Sequence, residues 1–228
     1  MDDDVVPGRR RWLAHCTVLF ATASLAGAMP CAPAWAAAPV KAAAPTVLVV
    51  GDSLSAEYGL KRGSGWVALL AAQLTQRKRA ASVVNASISG DTTSGGRSRL
   101  PQLLALHRPA IVILELGGND ALRGLPLAMT RDNLGAMAQA AKAAGASVIV
   151  VGMQVPPNYG RQYSDEFAGL FASVAKAQGA ALVPFLLAGI ADGPQAEAMF
   201  QADRIHPREA AHPLMLANVW RVLDPLLR

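Results

Sequence analysis

The tetrad Gly51-Asp52-Ser53-Leu54 follows directly on the apolar run 46–50, and Asp203-Arg204-Ile205-His206-Pro207 precedes the last helix-forming stretch of a 228-residue chain. A serine on the turn after a buried strand, with an aspartate and a histidine near the far end, is the residue set of nucleophilic acyl transfer. A serine hydroxyl is a poor nucleophile until an imidazole takes its proton, and the imidazole needs a carboxylate to fix its tautomer and stabilise its charged form. Segments from opposite ends of the chain must therefore converge.

The elements that could bring them together are legible as an alternation. Residues 46–50, 82–84, 110–116, 147–151 and 181–184 read as strands, and the first, third and fourth are apolar almost throughout, as buried parallel strands are. Residues 66–77, 95–106, 130–144, 165–178 and 207–227 read as helices. This βα alternation predicts an α/β fold, a three-layer α/β/α open parallel sheet with ligands at the carboxyl ends of its strands. Gly51-Asp52-Ser53, the segment 85–91, Gly117-Gly118-Asn119-Asp120 and the segment 154–160 all fall there.

Residues 1–36 read as a signal peptide: Arg9-Arg10-Arg11 is a positive n-region, 12–29 is mostly apolar, and Ala34-Trp35-Ala36 is a small-x-small cleavage site. An uncleaved membrane anchor is the alternative, disfavoured by the short apolar stretch with His15 inside it and Pro30 and Pro33 behind it. Residues 37–45 then form a short tether and 46–228 a single domain, periplasmic or secreted. Both cysteines, Cys16 and Cys31, lie in the leader, so the mature domain is expected to hold no thiol nucleophile, thiolate metal site or disulfide. The leader's acids and arginines balance, so the formal net charge of +5 belongs to the domain. That charge makes an anionic membrane surface a candidate contact, with a diffusely basic surface as the plain alternative; no aromatic-interleaved basic run points to nucleic acid.

The motifs together resemble the SGNH (GDSL) hydrolase family: Gly51-Asp52-Ser53-Leu54-Ser55, Gly90, Gly117-Gly118-Asn119-Asp120 and Asp203-x-x-His206 match its four blocks in order. Asn85-Ala86-Ser87-Ile88-Ser89-Gly90-Asp91-Thr92, Leu122-Arg123-Gly124 and Pro157-Asn158-Tyr159-Gly160 are similar to its TesA-like branch of secreted arylesterases, acyl-thioesterases and lysophospholipases. The resemblance spans the mature chain and implies the flavodoxin-like SGNH fold. It implies Ser53 as nucleophile, His206 as general base and Asp203 as its orienting carboxylate, acting through an acyl-serine intermediate. It assigns the oxyanion hole to the Ser53 and Gly90 backbone N–H groups and the Asn119 amide. The substrates implied are aryl esters, thioesters and lysophospholipids with medium to long acyl chains; a carbohydrate acetylesterase of the same superfamily and a non-enzymatic binding module with an unused triad are the alternatives.

Plain readings stand beside these roles. Alone, Asp203 reads as a solvated acid or a helix cap near Pro207, His206 as a surface histidine, Gly90 as a turn residue and Asn119 as a loop-capping amide. Leu54, Leu122, Val155, Tyr159 and Ile205, with Ala121, Leu125 and Pro156, flank the site and are candidates to line an apolar acyl groove, or else ordinary loop packing. Residues 121–126, with Gly124 as a flexible point, form a candidate flap. Asp52 and Asp120 read as loop hydrogen-bonding acids, Glu57 as exposed, and Glu115 has no assigned role. His107 reads as a helix end and His212 as the start of the final helix. With no His-x-x-x-His cluster and no dinucleotide or P-loop fingerprint, no metal or cofactor is expected. Arg204 occupies a position that is often glycine in the family, and it either tunes the leaving-group side or points to solvent. A monomer is expected.

Overall fold

The computed structural model describes residues 44–227. The expected leader and most of the tether lie outside the described residues.

Strands β1 (Thr46–Gly51), β2 (Ser82–Asn85), β3 (Ile111–Glu115), β4 (Ser147–Val151) and β5 (Ala181–Val183) form one parallel sheet in the order β2-β1-β3-β4-β5. The three strands that are apolar almost throughout are the three interior ones, because only an interior strand is covered on both faces and both edges. Edge strand β2 carries exposed Ser82 and Asn85 at its ends.

Helices α1 (Trp66–Gln76), α2 (Thr93–His107), α3 (Gly118–Leu122), α4 (Leu127–Ala143), α5 (Arg161–Gln178), α6 (Ala196–Met199) and α7 (His212–Leu223) complete the chain. The β1-to-β2 crossover runs opposite to the later ones, so right-handed connections put α1 on one face and α2, α4 and α5 on the other. Helix α7 packs beside α1. Trp66, Leu70, Leu74, Met215 and Val219 bury the first face; Leu100, Leu134, Met137, Phe167 and Phe171 bury the second. This is the expected three-layer architecture.

Several elements depart from the expectation, α5 among them, which starts at Arg161 rather than 165. The segment read as a loop and flap after the third strand is helical from Gly118 to Leu122, and only its end turns, at Gly124 with φ +63°. Helix α4 starts at Leu127 rather than 130, with Pro126 immediately before it. The final helix begins at His212, preceded by a single 3-10 turn at Glu209–Ala211, so Asp203 caps no helix.

A candidate active site at the switch point

The sheet order reverses between β1 and β3, and the crevice at their carboxyl ends is where an open parallel sheet binds its ligand. Ser53 leaves β1 there, and Asn119 leaves β3 beside it.

Beyond β1 the chain coils tightly, the Ser55 and Ala56 N–H groups both donating to the Asp52 carbonyl at 3.2 and 2.9 Å. Asp52 Oδ1 accepts the Leu54 N–H at 3.0 Å. Beneath the turn, Glu115 at the end of β3 accepts the Ser55 hydroxyl at 2.6 Å and the Asp52 N–H at 3.4 Å. The Trp66 indole N–H closes this network by donating to Ser55 Oγ at 3.2 Å. Gly51 is required here, since a Cβ would lie 2.7 Å from the Glu115 carboxylate and 2.8 Å from Ser55 Oγ. The serine stands on a rigid, buried polar support.

The histidine arrives on a loop held by its own acid. Asp203 Oδ1 accepts the Ile205 and His206 N–H groups, both at 3.0 Å, while Oδ2 lies 2.7 Å from His206 Nδ1. His206 Nε2 then lies 2.8 Å from Ser53 Oγ. With Nδ1–H donating to Asp203, Nε2 is left free to accept the serine proton. Gln201 docks this loop on the serine turn: its amide donates to the Tyr58 and Pro207 carbonyls at 3.0 and 3.2 Å. The Tyr58 ring leans on the His206 ring, centroids 4.3 Å apart.

Asn119, in the first turn of α3, donates its side-chain amide to Asp52 Oδ2 at 2.9 Å. Its neighbour Asp120 is fully buried and accepts from the Thr93 N–H at 2.9 Å, from the Thr93 hydroxyl, and from Thr130 Oγ1 at 3.3 Å. That anchors α3 to α2 and α4. Gly90 sits at φ +78°, a left-handed conformation that disfavours any side chain. Its carbonyl accepts Arg123 Nη2 at 2.7 Å. Among the described residues, neither the Ser53 nor the Gly90 N–H has a protein acceptor. Arg99 stitches the same loop to β1, pairing with Asp91 at 2.8 Å and donating to the Ala86 and Gly51 carbonyls.

Protonation follows from these surroundings. Burial pushes Asp52 up to about 6, against the pull of the Leu54 N–H and the Asn119 amide. Burial and the Asp52 charge hold Glu115 well above the carboxylate range, against its bonds from Ser55 and Asp52. For Asp203 slight burial acts upward, but the His206 ring and the His206 and Ile205 N–H groups outweigh it and hold the carboxyl at about 2.

Ser53, His206 and Asp203 are thus in direct contact, Asn119 reaches Asp52 next to Ser53, and Gly90 is tied to the end of α3 through Arg123, while the expected groove residues divide. Leu122 and Ile205 are exposed beside the site, and Val155 and Tyr159 are partly so. Leu54 and Ala121, at 7% and 1% exposure, point into the core and cannot line an open groove. Glu57 is not a free surface acid: at φ +60° it accepts the Gly63 N–H through both oxygens and the Gly65 N–H at 2.9 Å, ordering the loop into α1. Buried His212 accepts the Trp66 N–H on Nδ1 at 3.0 Å, joining α7 to α1. Arg204 turns to solvent and pairs with exposed Glu197, and its φ of +57° explains why glycine suits the position. Tyr58, Gln201 and Arg99 were not singled out from sequence.

The profile of the GDSL-like lipase/acylhydrolase family matches residues 49–214. Esterase TesA of Pseudomonas aeruginosa is 52% identical over 187 residues, covering 82% of this chain and 92% of that protein. Thioesterase 1/protease 1/lysophospholipase L1 of Escherichia coli K12 is 41% identical over 186 residues, covering 82% and 86%. Among solved structures, a crystal structure of TesA superposes with a TM-score of 0.77 at 52% identity, over 79% of this chain and 99% of that one. The psychrotrophic esterase EstA from Pseudoalteromonas sp., inhibited by monoethylphosphonate, gives 0.75 at 36% identity, over 80% and 98%. This chain belongs to the GDSL-like lipase and acylhydrolase family and is a serine hydrolase.

Proposed function

We propose that Ser53 attacks the carbonyl carbon of an acyl ester or thioester and carries the acyl group as a covalent intermediate. The observation that carries this reading is the unbroken relay of Ser53 Oγ to His206 Nε2 at 2.8 Å and His206 Nδ1 to Asp203 at 2.7 Å. His206 takes the serine proton as the tetrahedral centre forms, then gives it to the departing alcohol or thiol. Water enters, His206 deprotonates it, and a second tetrahedral centre collapses to free Ser53 and the carboxylic acid. The Ser53 and Gly90 N–H groups and the Asn119 amide receive the oxyanion. Asp52 holds the Asn119 amide with one of its hydrogens and leaves the other for substrate.

Aryl esters, thioesters and lysophospholipids with medium to long acyl chains are the substrates we assign, supported by the names of the relatives and by exposed Leu122 and Ile205 beside the site. The leader-like residues 1–36 support action in the periplasm or after secretion, with peripheral contact to anionic membranes. Hydrolysis of p-nitrophenyl acetate, butyrate, octanoate and palmitate by the domain beside Ser53→Ala tests the reading. Ser53-dependent turnover favouring the longer chains supports it, and preference for acetate moves the assignment to a carbohydrate acetylesterase.

A further inference from the structure

Glu115 is an acid to which the mechanism gives no task. It ends β3, only 1% exposed, beneath the turn that carries Ser53. Both of its hydrogen bonds land on one oxygen: Oε2 accepts the Ser55 hydroxyl at 2.6 Å and the Asp52 N–H at 3.4 Å. Oε1 is buried and has no partner among the described residues. That division suits a neutral acid, whose carbonyl oxygen accepts and whose other oxygen carries the proton. An ion spreads its charge over both oxygens, and a bare buried oxygen is then at its most costly.

The surroundings agree. The Asp52 carboxyl faces Glu115 from the serine turn, and two anions this deep repel one another. Among the described residues no lysine, arginine or histidine pairs with Glu115. Arg99, which reaches the same end of the sheet, is spent on Asp91 and on the Ala86 and Gly51 carbonyls. The Trp66 indole gives its N–H to Ser55 Oγ. Asp52 is the better placed of the two acids to be the ion: its oxygens accept the Leu54 N–H at 3.0 Å and the Asn119 amide at 2.9 Å, and the His206 charge favours its ionised form.

Resting on the esterase reading above, the geometry points to Glu115 as a positioning residue: the protonated member of a buried acid pair, which leaves Asp52 as the carboxylate that holds Asn119 at the oxyanion hole. Glu115 touches no reacting atom. While it is neutral, the single charge of the pair stays on Asp52, where Leu54 and Asn119 donate to it. Were it ionised, Asp52 would take the proton, and a charge-assisted grip on the Asn119 amide would become an ordinary one.

Infrared spectra of the substrate-free protein in heavy water, at about pH 8 where Asp52 is ionised, read the charge directly. Wild type shows the C=O stretch of a protonated carboxyl, and Glu115→Gln lacks it. Turnover of p-nitrophenyl butyrate is then compared for wild type, Ser53→Ala, Glu115→Gln and Glu115→Ala. Glutamine, a neutral copy with the same acceptor, keeps kcat within about 3-fold, whereas alanine lowers kcat about 10-fold or more with KM within about 3-fold. In an Asn119→Ala background, Glu115→Ala costs about 3-fold or less. Where alanine unfolds the protein, the band and Glu115→Gln decide. A missing band, or a kcat loss in Glu115→Gln as large as in Glu115→Ala, would overturn the assignment. Equal costs of Glu115→Ala with and without Asn119 would also overturn it, leaving Glu115 a brace for the fold. Wild type without Ser53-dependent turnover would overturn the esterase reading and this role with it, whereas a missing band beside normal Ser53-dependent turnover overturns the role alone.

Discussion

The carboxylate of Asp52 holds Leu54 with one oxygen and Asn119 with the other, at 3.0 and 2.9 Å, so the serine turn and helix α3 share a single buried acid. Asp52→Asn keeps the first acceptor but sets an amide N–H against the Asn119 amide N–H. Asn119 must then rotate its donor away from the oxyanion. We expect kcat to fall about 100-fold with KM little changed, the scale of losing one oxyanion donor. A double-mutant cycle with Asn119→Ala checks the route: once Asn119 is gone, Asp52→Asn costs little more.

The buried acids make folding stability depend on pH. The folded pKa of Asp52, about 6, lies above its ordinary value of 3.8, so between these values the folded state binds more protons than the unfolded one. Stability from this group is therefore full below about pH 4, falls as pH rises towards 6, and is flat above. Glu115 is raised in the same direction by burial and the Asp52 charge, so its contribution to stability also declines as pH rises. Thermal melts should show Glu115→Gln, which keeps an acceptor for Ser55, losing least at neutral pH, and Glu115→Ala falling by about 2–4 kcal/mol.

Asp203 stays ionised down to about pH 2, so its carboxylate keeps orienting the imidazole throughout the ordinary assay range. Asp203→Asn should lower kcat by roughly 1000-fold or more while the melting temperature changes little, because the tautomer that presents Nε2 is no longer held.

Arg204 occupies left-handed backbone, and its side chain pairs only with an exposed glutamate. Arg204→Gly should relieve that strain and stabilise the domain by about 0.5–1 kcal/mol, set against the greater unfolded-state entropy of glycine. Chemical denaturation of the two proteins measures the difference.

The sheet was readable because β1, β3 and β4 are apolar on both faces, and the site because its residues sit in motif blocks at strand ends. Helix α3 escaped because its five residues open with Gly118-Asn119-Asp120, whose local chemistry favours a turn; burial of Asp120 against Thr93 and Thr130 decides for helix. Leu54 and Ala121 were misplaced because an apolar residue beside a nucleophile serves core or groove equally well, and only the fold shows which way it points. Gln201 and Tyr58 carried no signal, since their contacts join segments far apart in the chain.

The central claim is that Ser53 becomes covalently acylated. Incubation of the domain with a monoalkyl fluorophosphonate, followed by peptide mass mapping and residual-activity assay, addresses it directly. The account predicts one adduct per chain on the peptide holding Ser53, loss of activity in proportion to labelling, and no adduct in Ser53→Ala. An adduct on another residue with activity lost, or full labelling of Ser53 with activity retained, would contradict it.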